Sequence, residues 1–588
     1  MNRNTEMHFS QAPHLRVPRS AFVRSSDHKT TFNAGSLVPI FVDEVLPGDT
    51  YEMKTSVLIR MATPIFPVMD NLSADVFYFF VPSRLLYDHW EEIHGANKTG
   101  YWKQKTEYQV PSFVCSPNDS TADQVPIGSI ADYMGIPVGY GPVAASDSSD
   151  VVLPDEISVL PFRAYELIWN EFFRDENLQA PVLVQTGNAV ENEWRLSDGD
   201  TLPNCSFLSN CLPVCKYHDY FTSALPEPQK GDPVSLPLAY TGSVEFPVMT
   251  SDTNFTPNDI PVRVRPVAGS WDSANPQVIA TRAQANSDGT KDFGAYEFTG
   301  NLSSGNEIQF SNLYANLDGL TLNAVTINSL RQAFQLQKLY EKDARGGTRY
   351  TEMLSNHYGV DNPDSRLQRP EYLGGKRIPI NISQVLQTSA TDSTSPQGNT
   401  AAYSLTIDTS DSFRRSFTEF GYIIGLVCVR PEHSYQQGIE KFWSRRGRFD
   451  FYYPVFACIG EQPIFNREIY AFATNQGDGV DVNGQVFGYQ EAWADYRYKP
   501  SRVSGMFRSD IGNSDGSSLD SWHYADYYDS LPVLGSDWIQ ESYKNVNRTL
   551  AVQASNLKPN QFLADFYFHL TCTRPMPLFS IPGLVDHF

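Results

Sequence analysis

Alternating apolar and polar residues give the clearest structural signal in this chain. Residues 51–61 and 562–573 place apolar side chains on one face and polar ones on the other, a period of two that predicts half-buried strands. Residues 74–82, "ADVFYFFVP", are apolar on both faces and predict a strand between two layers. Residues 421–429 and 449–456 are predicted as further strands. The strongest strands therefore lie near both ends of the chain.

Helical periodicity is sparse. Residues 160–178 and 326–344 each carry an apolar stripe with helical spacing, and residues 349–359 predict a short helix capped by Gly359. The stripe of the first helix consists of Phe162, Tyr165, Trp169, Phe172 and Phe173. The pattern as a whole predicts a mainly β protein with a few short helices and long loops.

Four stretches depart from this pattern. Residues 1–50 are predicted as an irregular N-terminal arm, which is locally basic in its first thirty residues. Residues 111–160 contain seven acidic residues and no Lys or Arg, and residues 233–325 are rich in polar and turn-forming residues. Both are interpreted as solvent-facing insertions. Residues 574–588 form an apolar tail whose four Pro and Gly residues exclude a regular helix.

These boundaries predict a discontinuous core formed by residues 51–232 and 326–573. The region 233–325 is a separate surface insertion between its two parts. An apolar tail is unusual at a chain terminus, where polar residues suit a frayed end, so we expect the tail to be buried.

Net charge and cysteine content limit the classes of protein to which this chain can belong. The chain has 588 residues, with 45 Lys and Arg against 67 Asp and Glu, a formal net charge of −22. Such acidity argues against a general nucleic-acid or membrane binder, although it leaves room for a local basic patch. The N-terminus has no apolar signal-peptide core, and no apolar stretch is long enough to span a bilayer. Seven scattered cysteines in such a chain indicate reduced thiols and a cytoplasmic origin.

Motifs of enzymes and metal sites are weak. Cys205, Cys211, Cys215 and His218 have the spacing C-x5-C-x3-C-x2-H, which lacks the paired knuckles of zinc sites, so buried or loop thiols are the preferred interpretation. The glycines of "ARGGTRY" favour a break between two helices over a phosphate loop. Two loops with calcium-like composition, residues 475–484 and 511–520, lack the register of an EF-hand. No cofactor, metal or catalytic residue is predicted.

One constellation suits nucleic acid. The segment "EKFWSRRGRFDFYYP" interleaves Arg445, Arg446 and Arg448 with Trp443 and further aromatics. Aromatic faces stack bases and guanidinium groups neutralise phosphates. The same residue types are enriched at protein interfaces, so pairing with carboxylates of a neighbouring chain stays open and is weighted slightly higher.

The N-terminal arm is a second basic candidate. It carries Arg16, Arg19 and Arg24, and the alternative for this segment is a disordered tail.

Segments from residue 8 to the last residue resemble one family, the major capsid proteins of gokushoviruses, which are small single-stranded-DNA bacteriophages of the Microviridae. The segments that carry the resemblance include "HFSQAPHLRVPRSAF", "LPFRAYELIWNEFFRDENLQ", "FQLQKLYEKDARGGTRYTEML", "RLQRPEYLGG", "WSRRGRFDFYYP", "GEQPIFNREIY" and "HLTCTRPMPLFSIPGLVDHF". Region 233–325 carries no resemblance, and residues 111–160 match poorly.

The resemblance implies a fold and a role. The fold is an eight-stranded antiparallel jelly roll with long insertions, assembled as a T=1 icosahedral shell around circular single-stranded DNA. The largest insertion of the family projects near the threefold axes and is taken to contact the host, which fits residues 233–325. Implied partners are other copies of the chain, an internal scaffolding protein, a small basic DNA-packaging protein and a host cell-surface receptor. The implied locations are the virion and, during assembly, the bacterial cytoplasm.

A shell also gives the apolar tail a place to be buried. Neighbouring copies can cover one another's termini, so residues 574–588 are predicted to be an intersubunit strap. Its apolar side chains are Met576, Leu578, Phe579, Ile581, Leu584, Val585 and Phe588. The competing function is a β-rich phage protein that binds or cleaves carbohydrate, like a tail spike.

Overall fold

The chain divides into two compact units in a computed structural model. The first comprises Met1–Asp232 and Leu339–Phe588, and the second comprises Pro233–Lys338. The structure describes residues 18–96, 98, 106–113, 125–138, 157–189, 210–232, 234, 248–250, 264–266, 281–285, 291–295, 308–310, 313–315, 327–361, 363–389, 391, 397–398, 400–471, 481–509, 518–555 and 558–579.

Strands are the dominant regular structure of these residues. They are β1 (Ser20–Val23), β2 (Ser26–Phe32), β3 (Val38–Val45), β4 (Thr50–Met61), β5 (Leu72–Pro82), β6 (Ser112–Phe113), β7 (Ile157–Ser158), β8 (Val248–Thr250), β9 (Val264–Pro266), β10 (Thr281–Ala285), β11 (Lys291–Ala295), β12 (Ile308–Phe310), β13 (Leu313–Ala315), β14 (Glu371–Pro379), β15 (Ile382–Leu386), β16 (Thr400–Ser404), β17 (Thr406–Ser416), β18 (Gly421–Pro431), β19 (Gln462–Phe465), β20 (Val486–Gln490) and β21 (Phe562–Arg574).

Helices are short except for one. They are α1 (Trp90–Ile93), α2 (Ile130–Tyr133), α3 (Leu160–Ile168), α4 (Ile327–Gly346), α5 (Tyr350–Met353), α6 (Asn466–Ile469), α7 (Ala494–Arg497), α8 (Ser536–Ile539) and α9 (Tyr543–Asn547). Helices α3 and α5 continue as π-helical turns at Trp169–Phe173 and Leu354–Tyr358. Gly359 ends the latter in the left-handed conformation, so the predicted cap is confirmed.

Two antiparallel sheets form the centre of the first unit. One has the strand order β1-β21-β4-β17, with β2 also paired to β21, and the other has the order β14-β5-β18-β3. Strands β1 and β2 pair with consecutive stretches of β21, so together they occupy one position at the edge of the first sheet. Strands from both ends of the chain thus lie side by side, which is the arrangement of a jelly roll. The predicted fold class, mainly β and antiparallel with few short helices, is confirmed.

The two sheets face one another across an apolar core. Phe41 of β3 contacts Phe568 of β21, with ring centroids 5.0 Å apart. The hydroxyl groups of Thr55 and Tyr78 are 2.6 Å apart and link β4 to β5. Because the pleat alternates sides, every second residue of β4 and β21 is buried in this core.

Strand β5 is buried on both faces, as its sequence predicted. Tyr78 points toward the facing sheet, where its ring contacts Phe413. Phe77 and Phe79 point the other way, and Phe173 and Phe172 cover them at centroid distances of 5.2 and 4.7 Å. The aromatic stripe predicted for residues 160–178 is therefore the layer that closes this side of the sheet.

A second, smaller apolar cluster lies within the first unit, and we call it the second core. Its buried members come from segments far apart in sequence and contain little sheet. They are Cys215, Tyr220, Phe221, Ala224, Tyr435, Ile464, Ile469, Phe487, Ala494, Trp538 and Ile539.

The structure corrects two predictions about regular structure. Residues 1–50 are not an irregular arm throughout, since β1, β2 and β3 lie within them; the edge strand β2 is largely polar and exposed, so it lacks the apolar period-two pattern. Residues 449–456 are not a strand. They form two 3-10 turns, Arg448–Asp450 and Pro454–Phe456, and all their aromatic side chains except that of Phe456 are exposed.

The second unit contains three antiparallel strand pairs among its described residues. Strand β8 pairs with β13, β9 with β12, and β10 with β11. None of the helices in the described ranges has the length and apolar character that crossing a membrane requires.

Candidate functional surfaces

The segment with interleaved arginines and aromatics forms an irregular, exposed surface. Its backbone is a series of 3-10 turns, one of which is Lys441–Ser444. The carboxylate of Asp450 accepts hydrogen bonds from the backbone N–H groups of Arg446 and Gly447 at 2.8 and 2.7 Å, and these bonds lower its pKa. Asp450 therefore fixes the loop that presents the arginines.

Arg445 does not share the exposure of its neighbours. Its guanidinium group is almost fully buried, forms an ion pair with Asp495 and lies 4.1 Å from the centre of the Tyr496 ring. A buried guanidinium group held by a carboxylate and an aromatic face is a structural element. Of the three arginines in this candidate nucleic-acid-binding segment, Arg445 thus has its charge neutralised within the subunit.

Arg446, Arg448 and Trp443 remain at the surface. Both arginines are exposed, and the guanidinium group of Arg448 lies 5.8 Å from the ring centre of Tyr453. The Trp443 side chain is 70% exposed and that of Phe449 is 74% exposed. Flat aromatic faces and free guanidinium donors are thus available together.

The fold adds a second segment that sequence reasoning missed. The ring of Tyr452 contacts Trp493 at a centroid distance of 5.6 Å and Tyr496 at 6.3 Å. We name residues 440–459 and 493–502 together the aromatic–arginine surface. The signal was present in "WADYRYKPSR", which has the same mixture of residue types.

This surface is basic in an acidic protein. Its two segments contain seven Lys or Arg against three Asp or Glu, a net charge of +4, whereas the whole chain carries −22. Glu440 accepts hydrogen bonds from Lys499 at 2.5 Å and Arg502 at 3.2 Å, so one carboxylate serves two cations. Arg497 pairs with Glu491, which lies just outside the surface, at 2.5 Å, so the unpaired positive charge resides mainly on Arg446 and Arg448.

The N-terminal arginines are held differently. Arg16 lies outside the described residues. Arg19 donates to the carbonyl of Gly48 at 2.5 Å and to the hydroxyl of Thr50 at 2.8 Å. Arg24 forms a two-point ion pair with Asp43 at 2.5 and 2.9 Å, and that hydrogen bonding raises its pKa. The arginines of the described part of the arm are thus bound to groups of their own subunit, and Arg24 links the first sheet to β3 of the other.

The apolar tail begins one residue later than predicted. Arg574 is the last residue of β21 and donates to the carboxylate of Asp49 at 3.0 Å and to the hydroxyl of Tyr51 at 2.6 Å. Asp49 is fully buried, so Arg574 belongs to the core. Of the predicted strap side chains, Met576, Leu578 and Phe579 are exposed in the single chain, and Ile581, Leu584, Val585 and Phe588 lie outside the described residues.

The weaker candidate sites resolve into structural roles. The thiol of Cys215 is buried and donates to Gln179 Oε1 at 3.1 Å; Cys205 lies outside the described residues. Within the described ranges, no group of three or more His, Cys, Asp and Glu side chains is placed to hold a metal. Asp481 caps a 3-10 turn, whereas most of the two calcium-like loops lies outside the description.

The glycine pair in "ARGGTRY" separates α4 from α5, as the preferred interpretation held. The backbone N–H groups after it point at a protein carboxylate, since Thr348 and Arg349 donate to Glu176 at 3.1 and 3.2 Å. Although burial opposes its ionisation, hydrogen bonds from Lys230 and Thr348 lower the pKa of Glu176 to about 2.

Comparison with known proteins decides the family. The model of a family described as "Capsid protein (F protein)" matches residues 10–584. The chain belongs to this capsid protein family. The capsid protein VP1 of Chlamydia phage 1 is 40% identical over 614 residues, covering 98% of this chain and 97% of that protein. The VP1 proteins of Bdellovibrio phage phiMH2K and Spiroplasma virus 4 are each 38% identical, covering 100% and 99% of this chain and 99% and 98% of their own lengths.

These findings confirm the predicted resemblance to gokushovirus capsid proteins. The chain is a structural capsid protein of a Microviridae phage and, as predicted, not an enzyme. Membership of a capsid family implies that copies of the chain assemble with one another into a shell and that the protein resides in the virion. The carbohydrate-binding or carbohydrate-cleaving alternative is thereby set aside.

Proposed function

We propose that this capsid protein builds a T=1 icosahedral shell around circular single-stranded DNA, with the aromatic–arginine surface facing the DNA. The observation that carries the orientation is the net charge of +4 on this surface in a chain of −22. Phosphates repel an acidic wall, so a protein with few cations gains most by concentrating them where phosphates lie.

The chemistry of the surface fits single strands better than duplex. Exposed rings such as Trp443 and Phe449 offer stacking faces that any base can use, and each stacked base contributes roughly 1–3 kcal/mol. Arg446 and Arg448 supply phosphate contacts without base-specific geometry. This arrangement binds DNA of any sequence, which packaging of a whole genome requires.

Substitution of the exposed residues tests this role. The variant Trp443→Ala/Arg446→Ala/Arg448→Ala should still form shells but should contain less DNA per particle, measured by the ratio of nucleic acid to protein in purified particles. DNA release from it should also depend less steeply on salt, by about one unit of slope per lost phosphate contact. A matched control is Arg366→Ala/Arg414→Ala, which removes two exposed arginines from other parts of the unit. Equal DNA content in both variants would contradict the proposal.

The tail after Arg574 is proposed to be an intersubunit strap. Met576, Leu578 and Phe579 are exposed in the single chain, and burial of each would contribute about 1.5–3 kcal/mol at most. Ordering a residue costs on the order of 1–2 kcal/mol, so a neighbour's groove is needed to hold the tail. Truncation after Arg574 should leave a folded subunit that fails to sediment as stable shells.

A second truncation makes this test sharper. Truncation after Thr573 also removes the partner of buried Asp49 and should destabilise the subunit itself. Normal shells from the chain that ends at Arg574 would show that the tail is no strap.

Residues 233–325 are proposed to be the host-attachment insertion near the threefold axes. The compact second unit, Pro233–Lys338, supports a separable element. Replacing 233–325 with a short Gly/Ser linker, which keeps α4 intact, should leave assembled shells that no longer adsorb to host cells. Insoluble subunits would oppose this.

The remaining partners complete the proposal. An internal scaffolding protein would act during assembly in the bacterial cytoplasm, a small basic packaging protein would add cations inside the shell, and a host receptor would bind the insertion. Omission of each partner from a reconstituted assembly, with shell yield and DNA content as readouts, tests the first two.

A further inference from the structure

An uncharged apolar loop lies beside the arginines of the aromatic–arginine surface. It comprises residues 451–459, "FYYPVFACI", which contain no Asp, Glu, Lys, Arg or His, and we call it the apolar loop. Eight of its nine residues are exposed, and the ninth, Phe456, is half-buried. Contiguous exposed apolar surface of this kind marks a site of interaction.

Contacts with DNA do not account for this loop. The Val455 side chain is 88% exposed and that of Ile459 is 51% exposed. Aliphatic side chains offer no flat ring to a base, and the loop carries no cation for a phosphate, although single-strand binding uses both. Trp443, Arg446 and Arg448 provide them a few residues earlier in the chain. The two halves of the surface therefore fit different partners.

The shape of the apolar loop is fixed within the subunit. The indole Nε1 of Trp493 donates to the carbonyl of Phe456 at 2.8 Å. The Phe456 ring lies edge-on to Tyr453, with ring centroids 6.2 Å apart, and Pro454 begins the 3-10 turn that contains Phe456. A loop that is already held in one conformation loses little conformational entropy when a partner covers it.

The exposed area of the loop is large enough for the centre of a protein interface. Phe451, Tyr452 and Tyr453 are 39–48% exposed, and Tyr496, whose ring contacts Tyr452, is 52% exposed. At roughly 200 Å² for a whole aromatic side chain, these four expose on the order of 400 Å², and Val455 adds to this area. One partner of a standard interface contributes about 800 Å², and the centre of such an interface is depleted in charge.

We propose that the apolar loop is a subunit contact, covered by a second copy of this chain in the assembled shell. Membership of the capsid family supplies this partner, because copies of the chain assemble with one another. Burial of Val455 and the neighbouring rings removes apolar surface from water and so favours association. The contact requires assembly of copies, but it does not require that Arg446 and Arg448 face DNA.

Charges placed at the centre of the loop test the contact. Val455→Asp and Val455→Lys should leave folded subunits, since the side chain is exposed, but should abolish shells, because an unpaired charge of either sign is costly to bury. Val533→Asp and Val533→Lys are matched controls at a valine that is 75% exposed, and they should form shells at wild-type yield. Sedimentation measures the yield, and circular dichroism verifies the fold. Wild-type yield from both Val455 variants, or equal losses in the Val533 variants, would overturn the proposal.

The sign of the charge distinguishes a second copy from the packaged strand. A lysine in contact with DNA would strengthen binding, whereas an aspartate would weaken it. Normal shells from Val455→Lys, with loss only in Val455→Asp, would therefore identify the strand as the partner and contradict the proposal. The uncharged variant Val455→Ala should raise the subunit concentration needed for shell formation by about tenfold, because two buried methyl groups are lost.

Hydrogen exchange on the wild-type protein gives a second measurement. Backbone amides of residues 451–459 should exchange slower in shells than in free subunits by roughly tenfold or more. In particles of the Trp443→Ala/Arg446→Ala/Arg448→Ala variant, this protection should persist. Unchanged exchange on assembly would overturn the subunit contact, and protection that falls with DNA content would assign the loop to the strand. Normal DNA content in that variant would overturn the DNA-facing role of the arginines and leave the subunit contact standing.

Discussion

The jelly-roll core and the second core are held by different forces, although they belong to the same unit. The jelly-roll core is built from long strands whose buried faces are mostly apolar. The second core has a smaller apolar cluster, and buried ionisable side chains lie beside it, four of which are linked to one another. These are Lys216, His433, Asp526 and Glu541.

The charged group forms one network. Both ring nitrogens of His433 are within hydrogen-bond distance of carboxylates, Asp526 at 3.0 Å and Glu541 at 2.7 Å. Lys216 contacts the same Asp526 at 3.3 Å, and its ammonium group lies 4.8 Å from the Trp538 ring centre. Where few strands are available, buried ion pairs join segments that are distant in sequence. Such a network makes the stability of the second core sensitive to pH.

The largest expected effect is the loss of a buried aromatic side chain from the jelly-roll core. Phe566 is fully buried in β21, and Phe566→Ala should lower the free energy of unfolding by about 3–5 kcal/mol. Leu563→Ala, on the exposed face of the same strand, should change it by no more than about 0.5 kcal/mol. Denaturant titration of soluble subunits measures both. Similar losses in the two variants would mean that β21 does not present alternate faces to core and solvent.

The second prediction concerns pH and the second core. Coulombic attraction to Asp526 and Glu541 outweighs burial and raises the pKa of His433 to about 10. The stabilisation is therefore complete below the unfolded pKa of about 6.5 and is lost as pH rises toward 10, at about 1.4 kcal/mol per pKa unit. The free energy of unfolding, measured at intervals of about one pH unit between about pH 6 and pH 10, should fall as the pH rises.

Two further measurements make this test more specific: a variant without the histidine, and the stability of the protein at acidic pH. His433→Gln should remove most of the alkaline slope. Asp526 shows the reverse behaviour: the cations of Lys216 and His433 outweigh the cost of its burial and lower its pKa, so its contribution is present above about 3.8 and is lost as pH falls below that value. An unchanged alkaline slope in His433→Gln would place the sensitivity elsewhere.

The two cores also differ in how far sequence could predict them. Period-two alternation identified β4 and β21, and continuous apolar runs identified β5 and β18, because in each strand the local sequence records which faces are buried. The network of the second core has no such local pattern, since its partners are separated by up to hundreds of residues, as Lys216 and Asp526 are. Strand β2 was missed because it is a largely polar edge strand.

The same distinction between local and long-range information explains how much of the aromatic–arginine surface could be predicted from sequence. The mixture of arginine and aromatic residues was visible in sequence, and its second segment could have been found by the same composition. That Arg445 is structural and Arg446 is free could not be predicted, because the deciding partner, Asp495, is fifty residues away.

A third prediction tests a point where the two cores meet. Gly35 lies between β2 and β3 with φ +81°, and a Cβ there would lie 2.5 Å from the carbonyl oxygen of Glu541. Its own N–H donates to Val429 at 3.0 Å and its carbonyl accepts from Val214 at 2.9 Å. Gly35→Ala should therefore cost about 1–3 kcal/mol of unfolding free energy.

The control for Gly35 has the same backbone conformation without the contact. Gly95 has φ +92° and no atom within 4 Å of the added Cβ, so Gly95→Ala isolates backbone strain, and thermal unfolding compares the two. Equal losses would mean that the contact with Glu541 contributes nothing.

The smallest expected effects separate the two neighbouring arginines of the aromatic–arginine surface. Arg445→Ala leaves the part-buried carboxylate of Asp495 without its cation, so it should lower the unfolding free energy of the subunit by about 1–2 kcal/mol. Arg446 is exposed, and Arg446→Ala should change that free energy by no more than about 0.5 kcal/mol. In assembled particles the order should reverse for DNA: Arg446→Ala lowers the DNA content, whereas Arg445→Ala particles that do form retain it. Subunit denaturation and particle composition, measured on the same two variants, give two independent readouts. If only Arg445→Ala particles lost DNA, the assignment of the phosphate contact to Arg446 would be wrong. The guanidinium group of Arg445 would then have to leave Asp495 and Tyr496 to reach the strand.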